Sequence, residues 1–227
     1  MSDQLPLKLS LRDSASFANY YPGPNREAVL SLHHAVGDRD GCCFYLWGKK
    51  GVGKSHLLQA ICGEAMARGK AAAYFPLSEE GLEPAIMEGL GAHEVICVDG
   101  LEHIAGHPPW ERALFQLYND HRGKKLFFAA RAAPGKIGIL LPDLVSRLSA
   151  GIVWPLHPLS DEQRLAALQH RALLRGLYLP PEVGRFLLRQ GSREMERLFA
   201  VLDQLDRASL VAQRRITLPF AKKVLGG

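Results

Sequence analysis

A glycine-rich segment, set between a strand pattern and a helix pattern, restricts the folds open to this chain. Residues 48–55 read Gly-Lys-Lys-Gly-Val-Gly-Lys-Ser, a complete G-x-x-x-x-G-K-[ST] sequence. The apolar and aromatic residues 43–47 are typical of a buried strand, and residues 56–62 have a helical pattern. In such a strand–turn–helix unit, backbone N–H groups and the helix N-terminus face a bound phosphate. The sequence therefore predicts a P-loop nucleotide-binding domain.

The residues of this loop have expected roles in binding a nucleotide and Mg²⁺. Lys54 would reach the outer phosphates, and the Ser55 hydroxyl would coordinate Mg²⁺. The glycines let the main chain fold closely around the phosphates. We predict that the loop and the residue after it contact the nucleotide: Gly48, Lys49, Lys50, Gly51, Val52, Gly53, Lys54, Ser55 and His56.

Strand patterns alternate with helix patterns as far as Pro155. This alternation predicts an α/β fold, a five-stranded parallel sheet with helices on both faces, whose ligands bind at the carboxyl ends of the strands. The strand patterns lie at 43–48, 71–76, 95–99, 125–130 and 151–155, and the helix patterns at about 55–68, 79–90, 110–121 and 141–149.

The pattern becomes entirely helical after Pro155. Ser160 and Gln163 match a capping box, which predicts a helix from Ser160 to near Gly176. Three more helices are expected, at 181–191, from Ser192 onward and after residues 217–219. We therefore divide the chain into a tail at residues 1–12, an α/β nucleotide-binding domain at 13–156 and a small all-α lid domain at 157–227.

The basic surplus of the chain is confined to its C-terminal third. Residues 1–155 hold sixteen Lys or Arg and sixteen Asp or Glu, whereas residues 156–227 hold twelve and seven. Such a surplus can serve an acidic partner or nucleic acid. It is equally consistent with a solvated, arginine-rich helical surface, since the basic residues are interspersed along the sequence.

The composition bears on where in the cell the protein is expected to function. The longest apolar runs are too short to predict a membrane span, and the N-terminus lacks the pattern of a secretory signal. Four cysteines fit no metal-binding spacing. We expect a cytoplasmic protein with reduced thiols and no membrane association.

A second motif of the nucleotide site is an apolar run that ends in an acid. Residues 95–99 read Val-Ile-Cys-Val-Asp, and Asp99 is predicted to hold Mg²⁺ through water. Many ATPases with this arrangement place a second acid next, to activate the attacking water, but here the residue is Gly100. Glu102 is nearby, although its side chain starts from a different point on the loop. We expect nucleotide binding with weak or no intrinsic hydrolysis.

Together these patterns resemble the AAA+ family, and within it the group formed by the bacterial replication initiator DnaA and its shorter relative Hda. The resemblance spans essentially the whole chain. It rests on segments at 17–23, 53–58, 141–148, 192–195 and 202–209, the last reading Leu-Asp-Gln-Leu-Asp-Arg-Ala-Ser.

The resemblance implies roles for three further residues. Tyr21 would lie in the segment that packs on adenine, and Arg193 would reach the phosphates as sensor 2. Arg147 would be an arginine finger, directed at the nucleotide of a neighbouring subunit; alternatively, it pairs with Asp143 one helical turn earlier. Arg131 stands where DnaA-like proteins usually have another polar residue, often Asp, and receives no role.

The N-terminal tail contains a candidate peptide for the bacterial sliding clamp. Residues 4–9 read Gln-Leu-Pro-Leu-Lys-Leu and fit the form Q-L-x-L-x-L. An extended peptide would present Leu5, Leu7 and Leu9 to an apolar groove, and Gln4 would form a hydrogen bond at its edge. By spacing alone, a tail strand packed on its own domain fits equally well, but the resemblance favours the clamp.

The resemblance implies a negative regulator of DNA replication initiation. The protein would bind ADP or ATP with Mg²⁺ and dock on the DNA-loaded clamp, the DNA polymerase III beta subunit. Arg147 would then stimulate hydrolysis of ATP bound to DnaA. Contact with DNA would run mainly through the clamp, and a homodimer is a further expectation. The alternative functions are a helicase-loader-like AAA+ ATPase that binds single-stranded DNA through its basic lid, and a self-sufficient P-loop NTPase.

Overall fold

The computed structural model describes residues 15–38, 40–120, 123–190 and 194–226. The chain forms two compact units. The first holds Asn25–Leu156 and the described residues up to Phe17, and the second holds Ala18–Pro24 and His157–Gly227. Segment 18–24 thus belongs to the second unit, whereas the sequence-based boundaries place it in the α/β domain.

The first unit is built on a five-stranded parallel sheet, as predicted. The strand order is β2-β3-β4-β1-β5, so the chain crosses the sheet between its first two strands. Strand bounds agree with the sequence patterns to within about a residue, because each strand is a short apolar run between turns. The strands are β1 Cys42–Trp47, β2 Ala72–Pro76, β3 Val95–Asp99, β4 Lys125–Ala130 and β5 Ile152–Pro155.

Four α-helices accompany this sheet in the described residues. Helix α1 was missed from the sequence, because its buried face consists largely of small residues and valine, which give a weak apolar period. The helix predicted at 79–90 is wrong. Two short 3₁₀ turns occupy part of that stretch, since Pro84 lacks an N–H group and Gly81 and Gly89 have positive φ angles. The helices are α1 Arg26–Gly37, α2 Lys54–Ala67, α3 Pro108–Asp120 and α4 Pro142–Ala150.

The central strands place two loops beside each other at one edge of the sheet. β3 and β4 are buried along their whole length, as strands covered on both faces should be. The Gly48 N–H after β1 donates to the Ala130 carbonyl (3.2 Å), and the Gly100 N–H after β3 donates to the Ala129 carbonyl (2.9 Å). The end of β4 therefore links the glycine-rich loop to the loop that follows Asp99.

In the described residues of the second unit the regular secondary structure is helical, as predicted. Its capping box forms: Ser160 Oγ accepts from the Gln163 N–H (3.3 Å), and Gln163 Oε1 accepts from the Ser160 N–H (2.9 Å). Leucines from several helices form its own core. The helices are α5 Asp161–Leu173, α6 Pro181–Gln190, α7 Met195–Ala212 and α8 Leu218–Gly226.

None of the helices in the described ranges has both the length and the apolar character needed to cross a bilayer.

Candidate nucleotide-binding site

The predicted phosphate loop folds as a turn between β1 and α2. Gly53 directly precedes α2 with a φ of 94°, a left-handed conformation that favours glycine. Helix α2 then begins at Lys54, so its first N–H groups border the loop. Lys49, Lys50 and Ser55 are exposed. The main chain therefore has the strand–turn–helix form that holds a phosphate at a helix N-terminus.

Lys54 places a buried positive charge at this loop. Its Nζ donates to the carbonyls of Gly48 (2.7 Å) and Lys49 (3.1 Å). Burial lowers the pKa of Lys54, and the carboxylates of Glu102 and Asp99 partly offset this effect. The side chain is 8% exposed. An ammonium group fixed in this way is suited to bind phosphate oxygens.

The two predicted magnesium ligands meet around a tyrosine that the sequence did not reveal as a site residue. The Tyr74 hydroxyl on β2 donates to Asp99 Oδ2 (2.9 Å), and Ser55 lies close enough to Tyr74 to lower its pKa. Burial, followed by the charge of Asp99, raises the pKa of Tyr74, so the hydroxyl remains a donor. The sequence marks Tyr74 only as a tyrosine in a strand that is otherwise rich in small residues, which does not identify it as a site residue.

The chemistry of these side chains fits Mg²⁺ bound together with phosphates. Among the described residues, no cluster of three or more His, Cys, Asp or Glu side chains could form a metal cage. Mg²⁺ usually takes one or two carboxylates and completes its shell with water and phosphate oxygens. Ser55 and Asp99 would supply the protein side of such a site, and the ion would neutralise phosphate charge.

Glycine occupies the position where a catalytic acid was expected. Gly100 has a φ of 81°, and a Cβ atom there would lie 3.0 Å from a ring carbon of His103. A glutamate at this position would carry the strain of a left-handed backbone. The residue that follows Asp99, the predicted magnesium ligand, thus offers no side chain to activate water.

The nearest alternative acid, Glu102, is held by Arg131. Arg131 Nε lies 2.9 Å from Glu102 Oε1, and the Arg131 backbone N–H donates to Oε2 (3.1 Å). The Glu102 carboxylate, like that of Asp99, raises the pKa of Lys54 against the effect of burial. Position 131 differs from the residue that DnaA-like proteins usually have there. The arginine found in this chain binds both oxygens of the Glu102 carboxylate, near the phosphate loop.

Arg147 lies exposed on α4, without the intramolecular partner considered for it. Among the described residues no ion pair joins it to Asp143. Its guanidinium carbon lies 5.9 Å from the centroid of the Tyr118 ring, a cation–π distance. This contact supports the side chain and leaves its hydrogen-bond donors available to a carboxylate or phosphate.

A buried glutamate anchors the helix that carries Arg147. Glu111 is 1% exposed, and its carboxylate accepts from the backbone N–H groups of Gly106 (2.8 Å), Leu140 (3.0 Å) and Leu141 (2.8 Å). Leu141 directly precedes α4, so Glu111 satisfies amide groups at the start of that helix.

Two further predicted site residues, His56 and Tyr21, each lie near another residue of their own unit. His56 Nε2 lies 3.0 Å from the Ser16 carbonyl oxygen. Tyr21 belongs to the second unit, where its ring centroid is 6.5 Å from that of His170. Predicted residues in the tail and before α7 lie outside the described residues: Gln4, Leu5, Leu7, Leu9 and Arg193.

The parallel sheet, the phosphate loop and the helical C-terminal region define an AAA+ protein. Residues 11–155 match the family model of the bacterial DnaA ATPase domain, and residues 161–225 match that of the Hda lid domain. The chain belongs to the DnaA ATPase-domain family and carries an Hda-type lid.

Solved structures share this fold. Domain III of the replication initiation protein DnaA from Thermotoga maritima is 21% identical, with 94% of this chain and 96% of that chain covered and a TM-score of 0.76. AMPPCP-bound DnaA from Aquifex aeolicus is 21% identical over 87% of this chain and 66% of that chain, with a TM-score of 0.73. The RuvB Holliday junction branch migration motor of Thermotoga maritima is 16% identical over 88% and 67%, with a TM-score of 0.65.

Proposed function

We propose that this protein is a negative regulator of replication initiation that acts on DnaA. It binds ADP, docks on the DNA-loaded sliding clamp and supplies Arg147 to the ATP site of a neighbouring DnaA molecule. ATP on DnaA is then hydrolysed, and DnaA–ADP does not readily start another round. The match of the second unit to the Hda lid domain supports this assignment within the DnaA family.

The observation that carries the proposal is the state of Arg147. It is exposed on α4, rests on the Tyr118 ring and forms no ion pair with Asp143. A guanidinium group with free donors can neutralise charge on a transferring phosphoryl group, an effect of about 10³–10⁵ in rate. An arginine needed only for stability would more often be paired or buried.

The chain's own nucleotide has a structural role in this proposal. Gly100 provides no acid, and both oxygens of Glu102 are engaged by Arg131, so this chain would hydrolyse a bound nucleotide slowly. We assign ADP because the resemblance to Hda implies it, with Mg²⁺ held through Ser55 and Asp99. The hydrolysis that matters then takes place on DnaA, outside this chain.

Docking on the clamp is assigned to the peptide at residues 4–9. Its support is the Q-L-x-L-x-L sequence, which presents three leucines on an extended strand. Attachment to a clamp on DNA would raise the local concentration of Arg147 near DnaA, as linked binding sites do. The docked form could be a monomer or a homodimer, which the mass of the clamp complex would distinguish.

The proposal is tested by DnaA ATP hydrolysis in the presence of DNA-loaded clamp. We expect Arg147→Ala to lose most of the stimulation, by about 10³-fold or more, and Arg147→Lys to restore little, because lysine lacks the planar fork. Arg112→Ala on α3 is the matched control, since Arg112 is also exposed. Equal stimulation by the Arg147→Ala and Arg112→Ala proteins would exclude the finger.

The same assay separates clamp docking from the helicase-loader alternative. Deletion of residues 1–9 should abolish stimulation with DNA-loaded clamp and leave nucleotide binding intact, whereas Lys54→Ala should lose nucleotide. A helicase loader would not need the peptide. Full stimulation by the deleted protein would therefore rule out docking through residues 4–9.

A further inference from the structure

The turn between α7 and α8 presents two adjacent arginines on a fixed main chain. Gln213, at the end of α7, has a φ of 52°, a left-handed conformation that is uncommon outside glycine. The Arg214 N–H donates to the Ser209 carbonyl (3.1 Å), and Ser209 Oγ donates to the Arg214 carbonyl (2.5 Å). These bonds hold the turn in one conformation, and both Arg214 and Arg215 are exposed.

The arginines border an open depression with a volume of about 380 Å³. Helix α8 follows Thr217, so the positive end of its dipole lies within the lining. Pro219 and the half-buried Phe220 supply an apolar and aromatic wall. The lining residues, here called the arginine-turn site, are Arg214, Arg215, Thr217, Pro219, Phe220 and Lys223.

The charge of this site is not balanced by acids. Residues 207–227 contain five Lys or Arg and no Asp or Glu. Elsewhere in the second unit Arg164, Arg175 and Arg197 pair with carboxylates. Within the described ranges no carboxylate pairs with the basic residues around the site: Arg214, Arg215, Lys222 and Lys223. Residues 156–206 hold seven basic and seven acidic residues, so the whole basic surplus of the C-terminal third lies in residues 207–227.

We propose that the arginine-turn site binds single-stranded nucleic acid directly. Guanidinium and ammonium groups would contact successive phosphates, while the Phe220 ring would accept an unpaired base. The combination of a basic depression with an aromatic wall fits a single strand better than a duplex, whose bases are already stacked. This binding uses the lid alone and does not depend on Arg147, the nucleotide or the N-terminal peptide.

The test measures binding of the full-length protein to a fluorescent oligothymidylate of about 25 nucleotides by anisotropy, without clamp. We expect Arg214→Gln with Arg215→Gln to weaken binding at low salt. The slope of log affinity against log salt should also fall by about 1.4, since each lost single-strand phosphate contact removes about 0.7.

The matched control is Arg185→Gln with Arg189→Gln, which removes the same charge from exposed positions on α6. The control protein should keep nearly the parent slope, and circular dichroism should show both double variants folded. An equal loss in the two double variants would overturn the proposal, because it would indicate only net charge. An unchanged slope in the Arg214/Arg215 variant would do the same.

Two further experiments identify the class of ligand that the arginine-turn site binds. Phe220→Leu keeps the apolar packing and removes the stacking surface, so affinity for the oligonucleotide should fall at least about fivefold. Duplex of equal length should compete poorly. If vesicles with anionic lipids bind the arginine-turn site and the oligonucleotide does not displace them, the site serves a membrane surface and the proposal fails. Equal competition by duplex would overturn the assignment to single strands.

Discussion

At the scale of single residues, the nucleotide site lacks an acidic side chain after Asp99, and the nearby Glu102 carboxylate is held by Arg131. Position 100 is glycine, while the Glu102 carboxylate is bound by both the side chain and the backbone N–H of Arg131. The Arg131 side chain is 60% exposed, so this ion pair contributes at most about 1 kcal/mol to stability. Its main effect is to fix the position and the hydrogen bonds of the carboxylate.

Removing the arginine should therefore change hydrolysis more than stability. In Arg131→Ala the backbone N–H still binds Glu102 Oε2, but Oε1 becomes free to accept a proton from water. ATP hydrolysis by the isolated chain should then rise about tenfold or more, a part of what a positioned base supplies. The readout is single-turnover hydrolysis. Arg131→Lys, which preserves the charge, should rise less. If adding Glu102→Gln leaves the gain of Arg131→Ala intact, Glu102 is not the base.

At the scale of elements, helix α4 depends on a residue from α3. The buried Glu111 carboxylate is compensated by three backbone N–H groups, two of them directly before α4. Buried polar groups that lose their partners cost about 1–3 kcal/mol each. Glu111 thus fixes the start of α4, the helix that carries Arg147. Glu111 itself lies on α3, and no local sequence pattern predicts this role.

Replacing this glutamate should destabilise the first unit. We expect Glu111→Ala to lower the free energy of unfolding in urea by about 2–4 kcal/mol, because three amides lose their acceptor. Glu111→Gln should lose less, since its remaining oxygen still accepts. The exposed Glu79→Ala serves as control and should stay within about 0.5 kcal/mol of the parent. A similarly small effect for Glu111→Ala would mean that water replaces the carboxylate.

At the scale of the whole molecule, sequence patterns predicted what is periodic or contiguous and missed what depends on contacts across the fold. The five strands, the phosphate loop and the capping box at Ser160 all follow from neighbouring residues. The Tyr74–Asp99 and Glu102–Arg131 contacts join residues at least 25 positions apart, so no local pattern contains them. The assignment of segment 18–24 to the second unit is equally non-local.

The two units also differ in the probes they carry. All four cysteines and all three tryptophans lie in the first unit. Burial raises the pKa of Cys42 to about 11 and that of Cys43 to about 12, against an ordinary value of 9.0. Because the folded state favours the protonated thiols, this contribution to stability is complete below pH 9 and is lost as the pH rises toward 11 for Cys42 and toward 12 for Cys43. At neutral pH, thiol labelling therefore reports the opening of the first unit.

Each unit has its own core, so we expect unfolding in urea to deviate from a single transition. The second unit is the smaller, and smaller domains bury a smaller fraction of their surface, so we expect it to unfold first. Far-UV circular dichroism should then lose part of the helix signal before tryptophan fluorescence changes. Fluorescence and thiol labelling should change together. A tryptophan introduced in the second unit by Tyr178→Trp, at a side chain 78% exposed, should follow the early phase. Coincidence of all four signals at neutral pH would show instead that the two cores unfold as one cooperative unit.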